Sequence, residues 1–189
     1  NHAVMYYMRG GKVLNFVGCV ERPWEEESWT ARKPWSGLSA DYEGWHPMVR
    51  APIEAADKDQ CFRWALNNRK PVMTWCTSRV ALLGDSVHAT LPYMAQGAAM
   101  AIEDAAILSR ALLLDAPLQD RLKVYEQHRA PRAARVVNES TEMGELYHIA
   151  DAAEMKQAFK DRNIAASRNN WLYPYHPWTV DIERPFEGV

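Results

Sequence analysis

The chain has 189 residues, enough for one large domain or two small ones, with 48% hydrophobic and 24% charged residues, as in an ordinary globular protein. A net charge of -2 gives no electrostatic reason to expect nucleic acid or an anionic membrane as partner. No apolar run approaches the ~20 residues of a membrane span, and no signal-peptide pattern is present. Cys19, Cys61 and Cys76 form an odd, widely spaced set without a CxxC pair, so they read as free thiols in a reducing, cytoplasmic setting, and no zinc site is expected.

Residues 1–21 read as a β-hairpin. Two β-rich runs, HAVMYYM and VLNFVGCV, flank the glycine turn RGGK. Period-two geometry puts His2, Val4, Tyr6 and Met8 on one face. An imidazole can take a phenol proton near neutral pH, and a tyrosine hydroxyl can fix an oxygen of a ring substrate. Taken alone, His2 at a chain end reads as an exposed strand residue, and Tyr6 reads equally as packing with a satisfied hydroxyl.

Residues 22–58 are irregular and rich in tryptophan and proline, and Glu25-Glu26-Glu27 reads as a solvated turn. The tryptophans are expected mostly in packing. His46 precedes a proline, which biases it to extended backbone, and it is assigned no chemistry. A short helix is expected over residues 61–66, followed by the breaker Asn68-Arg69-Lys70-Pro71.

Residues 79–114 are the informative stretch. Val80-Ala81-Leu82-Leu83 has the length and composition of a strand buried on both faces. Gly84-Asp85 ends it with a carboxylate, a loop with Pro92 follows, then Gln96-Gly97 and a small-residue helix over residues 98–114. Ligands in open α/β sheets sit at the carboxyl ends of strands, and unpaired N–H groups at a helix start face electron-rich ligand groups. Asp85 suits ligand hydroxyls, and Gly97 lets backbone approach a flat ligand. Gly-Asp alone reads as a buried strand, a turn and a core helix with no ligand; the whole spaced set points to one.

Beyond it, helix continues over residues 118–145, with Pro131 marking a break or kink, and a polar amphipathic helix is expected over residues 145–168. His128, His148 and His176 lack metal-ligand spacing with carboxylates or cysteines, so no metal is expected.

The string GDSVHATLPYMAQGAAMAIEDA resembles the second FAD-binding motif of the single-component flavoprotein aromatic hydroxylases, the group of salicylate and hydroxybenzoate hydroxylases. Asp85, His88, Pro92 and Gly97 stand in the family's places, with Ser86-Val87 replacing the usual Ala-Ala. The first strand resembles the family's His-x-Val-x-Tyr-Pro-x-Arg-Gly-Gly through His2, Val4, Tyr6, Arg9, Gly10 and Gly11, with Tyr7 in place of the proline. Trp75 also fits, whereas Asn68 and Lys70 depart from an acidic family phrase. Tyr125, Glu126, Arg129, Pro131 and Arg132 resemble a structural phrase after the FAD helix, and Trp171-Leu172-Tyr173 a salicylate-hydroxylase-like ending.

The resemblance implies an α/β fold: part of a Rossmann-type FAD-binding domain, a β-sheet substrate domain and a helical carboxyl-terminal extension. The expected regions are a substrate-binding sheet over residues 1–70, an FAD-binding strand, loop and helix over 71–115, and helices over 116–189. It implies an FAD-dependent monooxygenase that uses NADH or NADPH and O2 to hydroxylate a small aromatic or heteroaromatic acid through a flavin C4a-hydroperoxide. Gly84, Asp85, Pro92, Gly97, Ala98 and Ala99 are the implied cofactor contacts. His2, Tyr6, Pro92 and Met94 are the implied substrate contacts, with His2 and Pro92 catalytic. The chain begins with Asn1 and contains no GxGxxG, so the resemblance also implies an amino-terminal Rossmann half elsewhere in the same polypeptide, and a homodimer is a further expected partner. A reductase of the same fold, or a non-catalytic interaction module, would share the Gly-Asp motif; substrate-dependent O2 uptake with product hydroxylation separates the first, and failure to bind FAD marks the second.

Overall fold

A computed structural model describes residues 1–24, 26, 28, 31–163 and 170–183. The acidic turn at Glu25 and Glu27 and the last residues of the expected helix over 145–168 lie outside them. The chain divides into two compact units, Asn1–Leu66 and Asn67–Val189.

The first unit is built on the expected hairpin. Strands β1 (His2–Met8) and β2 (Val13–Cys19) pair antiparallel, from His2 opposite Cys19 to Met8 opposite Val13. Arg9, Gly10 and Gly11 reverse the chain with consecutive positive φ angles of 51°, 65° and 84°, which is why two of the three are glycine. Tyr42 is the anchor of this unit. Its hydroxyl donates to the carbonyls of His2 (3.0 Å) and Cys19 (3.4 Å), and its ring meets Phe16 and Trp45 edge-on. A Cβ at Gly18 would come within 2.6 Å of that hydroxyl, so glycine is what lets the phenol enter. Burial pushes the Tyr42 phenol pKa upward, keeping it a donor.

Two helices complete the unit, α1 (Trp35–Asp41) and α2 (Pro47–Ala55). His46, assigned no chemistry, caps α2: its Nδ1 accepts from the Met48 amide at 3.2 Å. Residues 61–66 are not helical. Strand β4 (Phe62–Arg63) pairs antiparallel with β3 (Ala31–Arg32) instead. Tertiary pairing overrides the local helical pattern there, with the Arg32 guanidinium 5.4 Å from the Phe62 ring centre.

The second unit is helical: α3 (Asp85–His88), a 3₁₀ turn over Pro92–Met94, α4 (Gly97–Leu112), α5 (Leu118–Tyr147) and α6 (Ala152–Asp161). Its core gathers Trp75, Val87, Met100, Ile107, Tyr125, Val136 and Trp171. Pro131, expected to mark a break or kink, lies inside α5, which continues on both sides of it. The helix expected from residue 145 begins at Ala152, where the Asp151 carboxylate accepts from the amides of Ala153 and Glu154.

The expected buried strand at residues 80–83 is corrected. Val80, Leu82 and Leu83 are 55%, 40% and 41% exposed, and the run makes only a bridge between Cys76 and Ala81. A strand buried on both faces needs flanking strands and covering helices, and among the described residues only the adjacent segment around Trp75 pairs with it. The α/β expectation stands at the coarser level of a helix-rich chain with small antiparallel sheets; a Rossmann sheet is not among the described elements.

Candidate functional site: the turn at Asp85 and the start of helix α4

Gly84 changes the direction of the chain. Its φ of 61° and ψ of −148° belong to a region essentially closed to side-chain-bearing residues. The amides of Val87 and His88 then close α3 on the Gly84 carbonyl, both at 3.0 Å. Asp85 is exposed, and among the described residues its carboxylate has no hydrogen-bond or ion-pair partner. The Arg69 guanidinium braces the same turn by donating to the Ser86 carbonyl at 3.0 Å.

Pro92 is exposed on the 3₁₀ turn, while Met94 is buried in the core. Ala95 takes a left-handed φ of 54° and sends the chain into α4. Among the described residues no side chain caps α4, and its first turn carries no acid; its first intrahelical bond is from the Met100 amide to the Gln96 carbonyl. The amides of Gly97, Ala98 and Ala99 thus lack helical acceptors, at the positive end of a helix. Beside Gly97, the nearest atom to an added Cβ would be Thr90 Cγ2 at 3.8 Å.

Behind this surface lies a buried charge network that joins α4 to Arg129 and Arg132 of α5. Asp104 on α4 is fully buried. It accepts from the Gly84 amide (2.9 Å), His88 Nε2 (2.5 Å) and Arg129 Nε (2.8 Å). Burial alone would raise the Asp104 pKa, but the His88 hydrogen bond and the Arg129 charge outweigh it and hold the carboxyl below its ordinary value. Glu103 binds Arg129 (2.8 Å) and takes Arg132 in a two-point contact at 2.9 and 2.8 Å. Arg132 also donates to the carbonyls of Trp171 and Leu172 and lies 3.8 Å from the Tyr175 ring centre, fastening the tail to α5. Glu126 caps the approach to the turn by accepting from the amides of Trp75 and Cys76.

The sequence did carry a signal for this network. Met100, Asp104, Ile107 and Ala111 occupy one stripe of α4, and Leu122, Tyr125, Arg129, Arg132 and Val136 one stripe of α5. Charges of opposite sign falling on two otherwise apolar stripes mark a buried pair.

Of the expected ligand residues, Gly84, Asp85, Pro92, Met94, Gly97, Ala98 and Ala99 lie in the second unit, and His2 and Tyr6 on β1 of the first. Tyr6 is exposed and His2 half-buried.

The chain belongs to the FAD binding domain family, which matches residues 8–140. Within that family it is an aromatic-hydroxylase-like flavoprotein. It is 40% identical over 141 residues to 6-hydroxynicotinate 3-monooxygenase of Bordetella bronchiseptica, covering 71% of this chain and 36% of that protein. It is 38% identical over 151 residues to 3-hydroxybenzoate 6-hydroxylase of Klebsiella oxytoca, covering 79% and 37%. A solved salicylate hydroxylase substrate complex superposes with a TM-score of 0.71 at 27% identity, over 93% of this chain and 45% of that one. The chain therefore spans less than half the length of these relatives.

The residues present fit the family's cofactor. An exposed carboxylate without a partner among the described residues suits ligand hydroxyls, and a helix start lined by small residues and capped by none of their side chains suits electron-rich ligand oxygens. FAD carries both kinds of group.

Proposed function

We propose that this chain is part of an FAD-dependent monooxygenase that hydroxylates a small aromatic or heteroaromatic acid of the hydroxybenzoate, salicylate or hydroxynicotinate kind, using NADH or NADPH and O2. The observation that carries the proposal is the pairing, in one unit, of an Asp85 carboxylate without a partner among the described residues and an α4 start that none of their side chains caps. The names of the relatives supply the substrate class.

In this reading the Asp85 carboxylate accepts from the ribityl hydroxyls, and Gly84 gives the turn that presents it. The amides of Gly97, Ala98 and Ala99 face the pyrimidine edge, where the helix end stabilises negative charge by about 0.3–1 kcal/mol. Bound FAD supplies the oxygen activation, and the protein supplies orientation and exclusion of water. Pro92 shapes the pocket with its ring and carbonyl, Met94 backs it from the core, and Tyr6 fixes a ring oxygen. The His2 imidazole takes the phenol proton. A GxGxxG-bearing segment outside this chain holds the ADP end, and the assembled enzyme is a homodimer.

The test uses the full polypeptide that carries this chain. FAD content, O2 uptake and product are measured with 3-hydroxybenzoate, salicylate and 6-hydroxynicotinate. Stoichiometric FAD with substrate-dependent uptake and a hydroxylated product is expected; FAD-bound protein that oxidises NAD(P)H without hydroxylating any ring acid would replace the proposal with a reductase.

A further inference from the structure

Asp104 divides its two oxygens between two tasks. Oδ1 accepts from Arg129 Nε at 2.8 Å, which fixes the carboxylate against α5. Oδ2 accepts from the Gly84 amide at 2.9 Å and from His88 Nε2 at 2.5 Å. A carboxylate only accepts, so His88 donates through Nε2. Gly84 immediately precedes α3 and His88 ends it. One oxygen therefore ties both ends of a four-residue helix whose first residue is Asp85.

A helix of that length does not hold itself together in water, and Gly84, which adopts its φ of 61° without strain, is free to leave it, so the turn needs a restraint from outside. The imposed restraint comes from α4. Asp104 lies seven residues beyond Gly97, about 10 Å along the same helix. The tie therefore references Asp85 to the rigid body that also carries the open amides of Gly97, Ala98 and Ala99.

His88 gives a second, independent indication. It is 2% exposed, and its Nδ1 has no hydrogen-bond partner among the described residues. Packing alone would be served better by a leucine or phenylalanine, which would leave no orphaned nitrogen in the core. The value of the imidazole at this position lies in Nε2.

We propose that His88 and Asp104 are positioning residues for FAD, holding Asp85 at the separation from the α4 start that the ribityl chain and flavin ring require. This rests on the reading that Asp85 and the α4 start contact FAD. Neither His88 nor Asp104 touches the cofactor; both act through the turn.

The experiment is a double-mutant cycle in the full polypeptide, reading the FAD dissociation constant by flavin fluorescence titration of the apoprotein, with Tm measured on the same samples. His88→Leu is expected to weaken FAD about tenfold. His88→Gln, whose amide nitrogen reaches the place of Nε2, should recover binding to within about threefold of wild type. In the Asp85→Ala background His88→Leu should add less than about twofold, because the group it positions is gone. An equal loss in both backgrounds, or no recovery by glutamine, overturns the inference and leaves His88 a stability residue. Should His88→Leu fail to fold, His88→Asn takes its place, being too short to reach Asp104. If Asp85→Ala alone leaves FAD affinity unchanged, the cofactor reading itself falls, an outcome visible before the cycle is closed.

Discussion

The ring of Tyr93 lies against the backbone of Gly144, so closely that a Cβ there would meet Tyr93 Cε2 at 2.6 Å. This contact, with the Ser140 hydroxyl donating to the Leu91 carbonyl at 2.6 Å, seats the Pro92 turn on α5. Glycine within a helix ordinarily costs about 1 kcal/mol relative to alanine. Here the steric term is larger, since overpacking a filled site costs about 1–3 kcal/mol. Gly144→Ala should therefore lower stability, against the helix-propensity expectation. Urea denaturation decides it, and an increase in midpoint would show that the Tyr93 ring moves away freely.

Asp85→Ala should weaken FAD by about 1.5–3 kcal/mol, the scale of a hydrogen bond to a charged group. The fold should be unaffected, because Asp85 is exposed and makes no internal bond among the described residues. Titration of apoprotein with FAD, beside a far-UV spectrum, measures both. Unchanged affinity would falsify the central assignment.

Asp104 predicts an acid limb. Its folded-state pKa lies below the ordinary value, so its stabilising contribution is present in full above the unfolded-state pKa of about 4. That contribution is lost as pH falls through the lower folded-state value. Asp104→Asn should be less stable at neutral pH and show a shallower loss of stability below about pH 4, read from urea midpoints across pH.

Burial, with the Glu126 carboxylate nearby, pushes the Cys76 thiol up to about 11. The thiolate is the reactive form, so alkylation of Cys76 by iodoacetamide should be slow at pH 8 and rise steeply towards pH 11. Mass spectrometry of the labelled peptide gives the profile; rapid labelling at pH 8 would contradict it.

If His2 is the base that takes the phenol proton, His2→Ala in the full polypeptide should slow hydroxylation roughly 10²–10⁴-fold. FAD content should stay intact, and NAD(P)H should still be consumed with release of hydrogen peroxide. The ratio of product to NAD(P)H consumed is the measurement, and a ratio equal to wild type makes His2 a strand residue.

Much of this was legible in the residues themselves. Alternating side chains around Arg9-Gly10-Gly11 specify the hairpin, and the spacing of Asp85, Pro92 and Gly97 specifies the turn, the loop and the helix start. Residues 61–66 misled because β4 exists only through its pairing with β3, a partner some thirty residues away that no local period reports. Residues 80–83 misled because a valine and leucine run looks buried whether or not a sheet is there to cover it. The Asp104 network was present in the helical stripes, but pairing an acid on one stripe with an arginine on another requires knowing that α4 packs on α5.

Helix α5 is about 45 Å long, and Pro131 sits near its middle with no N–H to offer the Gln127 carbonyl. Upstream of this missing rung, Tyr125 and Arg129 serve the Leu82 and Asp104 side of the unit; downstream, Ser140 and Gly144 seat the turn that bears Pro92. Hydrogen exchange in deuterated water reads the consequence: two protection blocks divided at residue 131 are expected, and one uniform block would show that the common core of Tyr125, Val136 and Met143 couples the halves.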